Sequence, residues 1–159
     1  MRSGLVMSAA ILGLTLAGCG SEDDEAVTAA GCLQDADAYV EALESAPGEV
    51  TLDGTSLGDC LTTEQQPGAI SEVGKSMVDA ATELNARARR EPLGEPAVQL
   101  GYLVGVVQAR AEETGGIHSD LAHRVESAAL FIPKDDLLPG CFQQRYEEGL
   151  AAGRESVSE

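Results

Sequence analysis

Glu95-Pro96-Ala97-Val98-Gln99-Leu100-Gly101-Tyr102-Leu103-Val104-Gly105-Val106-Val107 is the stretch from which the architecture follows. Proline is tolerated in the first turn of a helix, where its missing amide would be unpaired anyway. Thr114-Gly115-Gly116 gives a matching stop. Between those two signals Val98, Leu100, Leu103, Val104 and Val107 leave almost no polar side, so the helix is expected at the centre of a bundle rather than on its surface. Gly101 and Gly105, four apart, lie on one side of it. In a helix each is about 0.8–1 kcal/mol less favourable than Ala, so something must require them. Two readings stand: close approach of a neighbouring helix, or a backbone-lined groove for a small ligand.

Working outward, the flanking text supplies the surrounding helices. Before the central one, Leu33, Ala36, Val40 and Leu43 recur at steps of three and four, which predicts a first helix from Cys32 to Ala46, closed by Pro47-Gly48. Glu49 to Asp59 reads as a short irregular segment in which Asp53-Gly54 could turn a small hairpin. Thr63-Glu64-Gln65-Gln66 has the spacing of a capping box, so a second helix is expected from Thr63, with Pro67 in its first turn. Ile70, Val73, Met77, Ala81, Leu84 and Ala88 form its apolar stripe. Arg87, Arg89 and Arg90 crowd its last turn, where they suit the helix dipole or, as an alternative, an anion site. After the central helix, Ser119 is expected to cap a fourth, with Leu121, Val125, Ala128 and Ile132 buried and Pro133 ending it. Pro139-Gly140 introduces a fifth, in which Phe142, Tyr146, Gly149 and Leu150 share a face, followed by a charged flexible tail, 153–159. The fold class is therefore all-α: a small bundle of about five helices, with an irregular or hairpin-like segment between the first two. The helical domain spans 32–152.

The amino-terminal residues follow a different logic. Arg2 precedes an apolar run from Leu5 to Gly18, 14 residues long; a membrane-crossing helix needs about 20. A basic start, an apolar middle and small residues before a cut make an export signal. The run closes on Leu16-Ala17-Gly18-Cys19, and here the chain resembles bacterial lipoproteins, whose signal ends in this four-residue box. The resemblance implies that a signal peptidase recognises Leu16, Ala17 and Gly18 and cuts before Cys19, whose thiol carries a diacylglyceryl group. Residues 1–18 would then be a signal peptide. Two or three acyl chains anchor stably where one is marginal. Residues 19–31, with Ser21-Glu22-Asp23-Asp24-Glu25, read as a lipidated Cys and an acidic flexible tether. The implied location is the bacterial cell envelope, outside the cytoplasm.

Loss of residues 1–18 removes Arg2, one of ten basic residues, and none of the 27 acidic ones, so the formal charge moves from −17 to −18. Such a body argues against nucleic acid as a partner, because that binding rests on positive charge. With three Tyr, two Phe and no Trp, it is also poorly equipped to stack on sugar rings.

Removing Cys19 from the count leaves Cys32, Cys60 and Cys141. A helix of about 15 residues is about 22 Å long, while the connection from Pro47 to Asp59 can extend to about 43 Å. The chain can return to its starting point, so a Cys32–Cys60 disulfide is expected, with Cys141 buried and free or paired between molecules; Cys60–Cys141 is the alternative. Catalytic signatures are sparse. His118 and His123 are five apart, about 140° around a helix, whereas a helical metal pair wants four. A weak cluster of His118, Asp120, His123 and Glu126 is the one candidate for metal-dependent chemistry. No Gly-x-Ser-x-Gly, phosphate loop or EF-hand pattern occurs, and no cofactor is implied. The leading expectation is a membrane-anchored, non-catalytic binding or assembly module whose partner is an envelope protein or small ligand. A metal-dependent protein using His118 to Glu126, or a carrier with a groove over Gly101/Gly105, is the alternative.

Overall fold

In the computed structural model, residues 27–130 and 140–158 are described. The export signal, Leu16 to Cys19, most of the tether, Ile132, Pro133 and Pro139 lie outside them. Five α-helices and one two-stranded ribbon make up the described chain: α1 (Ala36–Ala42), β1 (Thr51–Leu52), β2 (Thr55–Ser56), α2 (Pro67–Arg90), α3 (Glu95–Glu113), α4 (Ser119–Ala129) and α5 (Gly140–Glu155). The expected all-α bundle is what forms. No described helix is long and apolar enough to cross a membrane.

As its lack of a polar side requires, α3 runs through the middle, and every residue from Ala97 to Val107 is buried. Burying a Val or Leu side chain contributes about 1.5–3 kcal/mol, so this helix dominates the core. Its end is a Schellman turn. Gly115 (φ 63°) and Gly116 (φ 93°) enter left-handed space, and the Gly116 amide reaches back to the Ala111 carbonyl at 3.0 Å.

The first helix is shorter than its periodicity predicts. Ala30–Leu33 is a 3-10 turn, and the Asp35 carboxylate then accepts from the Ala38 amide at 3.2 Å to start α1. That N-cap interrupts the helix expected from Cys32. Gly31, which the sequence reading places at the end of the tether, is buried, and a Cβ on it would lie 2.4 Å from the Leu52 carbonyl oxygen. Asp53 (φ 49°) and Gly54 (φ 81°) turn the ribbon, pairing Thr51 with Ser56 and Leu52 with Thr55. Left-handed backbone at both central positions suits the right-handed twist of a hairpin.

At α2 the capping box is not used. The helix starts at Pro67 rather than Thr63. Gln65, the third box residue, turns inward, where its side chain accepts from the Thr62 amide and donates to the Cys60 carbonyl at 2.9 Å. Ser119 is the first residue of α4 rather than its cap; His118 holds that place without capping. Nor does a tail begin at Gly153: α5 continues to Glu155, and both Gly153 and Val157 are buried.

Candidate functional site

The site candidates begin with the glycines of α3. A Cβ on Gly101 would lie 2.1 Å from the Tyr146 carbonyl oxygen, and one on Gly105 2.3 Å from that of Leu150. The seam is reciprocal: a Cβ on Gly149 would meet the Val98 oxygen at 1.9 Å, and one on Gly153 the Tyr102 oxygen at 2.2 Å. Successive contacts rise together along both helices, so α3 and α5 run in the same direction with their backbones touching. The space that the alternative reading gives to a ligand over Gly101/Gly105 is therefore filled by α5, and the expected close approach of a neighbouring helix explains the two glycines. Gly149 had been visible on the shared face of the fifth helix, and Gly153 lay just beyond it.

The histidine cluster does not assemble. His118 is 1 % exposed, with Nε2 3.2 Å from the Thr62 carbonyl oxygen. His123 points to solvent and meets only Glu126, at 3.6 Å. Asp120 is exposed as well. Among the described residues no three His, Cys, Asp or Glu side chains gather in a way that could hold a metal ion. Burial lowers the His118 pKa; the Thr62 carbonyl opposes this and the Arg110 charge adds to it.

Two arginines of the basic cluster at the end of α2, Arg87 and Arg89, are engaged by protein acceptors, and Arg90 is exposed. Arg87 pairs with Glu83 at 2.5 Å. Arg89 donates to Asn85 Oδ1 at 3.2 Å and to the Leu130 carbonyl at 3.0 Å. Asn85 Nδ2 adds bonds to the carbonyls of Ala128 (2.7 Å) and Leu130 (3.0 Å). Two α2 side chains thus cap the carboxyl end of α4, a role within the bundle rather than an anion site. Three further arginines, which sequence reasoning passed over, stitch elements together. Arg110 joins Asp59 (2.8 Å) and Glu113 (3.0 Å). Arg145 joins Glu95 and Glu148. Arg154 joins Gln108 (2.9 Å) and Glu112 (2.7 Å).

Cys32 and Cys60 form the expected disulfide, with Cα atoms 5.3 Å apart, and Cys141 is free and half-buried. Around the bridge the amino-terminal corner is closely fastened. Tyr39 donates to the Cys32 carbonyl at 2.7 Å, and Gln65 reaches Thr28 Oγ1 at 3.3 Å.

Two hollows border α5. One, of about 430 Å³, lies between the hairpin and the end of α5, with Arg110, Asp59, Tyr102 and Val157 in its wall. The other, about 380 Å³ and mainly apolar, lies between α4 and α5 over Leu130, Phe142, Tyr146 and Leu150. Phe142 and Tyr146 stack there, ring centres 5.9 Å apart, and burial, helped by Glu126, pushes the Tyr146 hydroxyl up to about 12. Comparison with protein-family models, characterised proteins and solved structures finds no match.

Proposed function

We propose that this chain is an extracytoplasmic lipoprotein of the bacterial cell envelope, held to the membrane by acyl chains on Cys19, whose helical body is a non-catalytic binding or assembly module. The observation that carries the reading is Leu16-Ala17-Gly18-Cys19 at the end of an export-type apolar run. The Cys32–Cys60 bridge supports it, because disulfides persist in oxidising compartments. Arg110, Arg145 and Arg154 support the non-catalytic part, since they are spent on ties between elements of the body itself.

Expression in a bacterial host with labelled fatty acid tests the anchor. The mature amino-terminal peptide should begin at Cys19 and carry the added acyl mass, and Cys19→Ala should leave the membrane fraction. An unacylated peptide, or a Cys19→Ala protein that still pellets with membranes, overturns the anchor. For the body, tight stoichiometric zinc binding that disappears in His118→Ala and His123→Ala would overturn the non-catalytic reading.

A further inference from the structure

His118 is a buried titratable group that the proposed function leaves unused. It stands in the turn before α4, yet its partner, Thr62, lies 56 positions earlier, in the segment joining the disulfide to α2. For the 3.2 Å contact to be a hydrogen bond, the ring must carry its proton on Nε2 and donate to the Thr62 carbonyl. Nδ1 is then a bare lone pair, buried and without a hydrogen-bond partner among the described residues. A second proton has one place to go, Nδ1. It would create a buried donor facing no acceptor and a cation near the guanidinium of Arg110 on α3. Arg110 cannot move away easily, because Asp59 and Glu113 hold it. Of the other ionisable residues on the adjoining elements, Glu64 in the 61–66 segment, Glu72, Lys75, Asp79, Arg89 and Arg90 in α2, Glu95, Glu112 and Glu113 in α3, and Asp120, His123 and Arg124 in α4 are exposed, while Glu83 and Arg87 in α2 and Glu126 in α4 are half-buried.

We infer that His118 is an acid-sensitive latch: neutral, its Nε2–H closes the 61–66 segment against the α3–α4 corner, and protonated at Nδ1 the ring leaves that seat and releases the segment. The release is local. Cys60 stays bridged to Cys32 on one side, and α2 begins on the other. What loosens is the stretch whose Gln65 grips Thr28, and with it the point where the amino-terminal residues join the body.

Amide hydrogen exchange of the full-length protein in detergent tests this, after correction for the intrinsic pH dependence of exchange. Protection of the 61–66 peptide should fall about tenfold or more between about pH 7.5 and about pH 5, while the centre of α3 keeps its protection. His118→Gln should abolish that pH dependence, and His123→Gln should preserve it. Unchanged protection across the range, or pH dependence that survives in His118→Gln, overturns the latch. Should His118→Gln fail to fold, the NMR titration of the wild-type His118 ring decides: its midpoint must coincide with the loss of protection, and a ring that titrates while 61–66 stays closed overturns the inference.

Discussion

At the residue scale the sharpest contrast is between glycines that occupy similar helical backbone. Gly149→Ala would drive a methyl group into the Val98 carbonyl at 1.9 Å, forcing α3 and α5 apart. Overpacking of this kind costs about 1–3 kcal/mol or more, well above the gain in helix propensity. Gly74 in α2 would meet only the two Leu121 methyls, at 3.4 and 3.9 Å, ordinary contacts. Gly74→Ala is therefore expected to leave stability unchanged or raise it by up to about 1 kcal/mol. Urea midpoints of the two variants check both signs at once. From sequence alone the four-residue spacing of Gly101 and Gly105 already called for an explanation, and close helix approach was one of the two available. The identity of the approaching helix was not legible, because glycine carries no side-chain pattern that points to a partner. The role of Asn85 was hidden for a similar reason: a lone amide within an apolar stripe looks like an imperfection until the carbonyls it reaches are seen. Asn85→Ala removes both its bonds to the end of α4 and should cost about 1–3 kcal/mol, readable in the same denaturation experiment.

Among the elements, the disulfide and the hairpin behave as a unit. The bridge closes a loop of 28 residues that contains α1 and the β1–β2 ribbon. A two-stranded ribbon this short is marginal by itself, so it depends on that closure and on Leu52 and Leu57, both buried. The double variant Cys32→Ala/Cys60→Ala is expected to lose about 3–4 kcal/mol by the chain-entropy estimate; calorimetry with and without reductant on the wild-type protein gives an independent measure. Chain reach made this pairing readable in advance. The helix boundaries nearby were less readable, because local polar side chains overrode the apolar period: Asp35 restarted α1, and Gln65 turned inward to satisfy Cys60 and Thr62 instead of completing a capping box. Boundaries set by one or two hydrogen bonds leave little trace in a hydrophobic pattern, whereas α3, set by eleven consecutive buried positions from Ala97 to Val107, leaves a strong one.

For the whole molecule, charge and acid sensitivity dominate. The chain as a whole carries a formal charge of −17, so acidic groups on the body repel one another, and salt screens that repulsion over a Debye length of about 10 Å at 0.1 M. Melting temperature should therefore rise as sodium chloride is increased. Acidification has two effects of opposite sign. Protonating solvated carboxylates relieves repulsion. His118 acts the other way: its folded-state pKa is lowered by burial, so the unfolded chain binds the proton more readily. Its contribution is complete above the ordinary histidine value of about 6.5 and is lost as pH falls from there toward the depressed folded value. The difference in melting temperature between wild type and His118→Gln should accordingly narrow as pH drops below about 6.5.

The glycine seam also bears on when this chain can fold at all. The helix at the centre of the core receives its backbone partner from Tyr146 to Gly153, residues made well after it, with α4 in between. Until they arrive, α3 has an open flank along which Gly101 and Gly105 have nothing to touch, and the interior cannot close. A ribosome working from the amino terminus, or a translocation pore passing the chain in the same order, would handle an uncommitted polypeptide until α5 emerges. For a protein proposed to cross a membrane before it folds, a core helix that waits for α5 delays closure of the interior until α5 has passed.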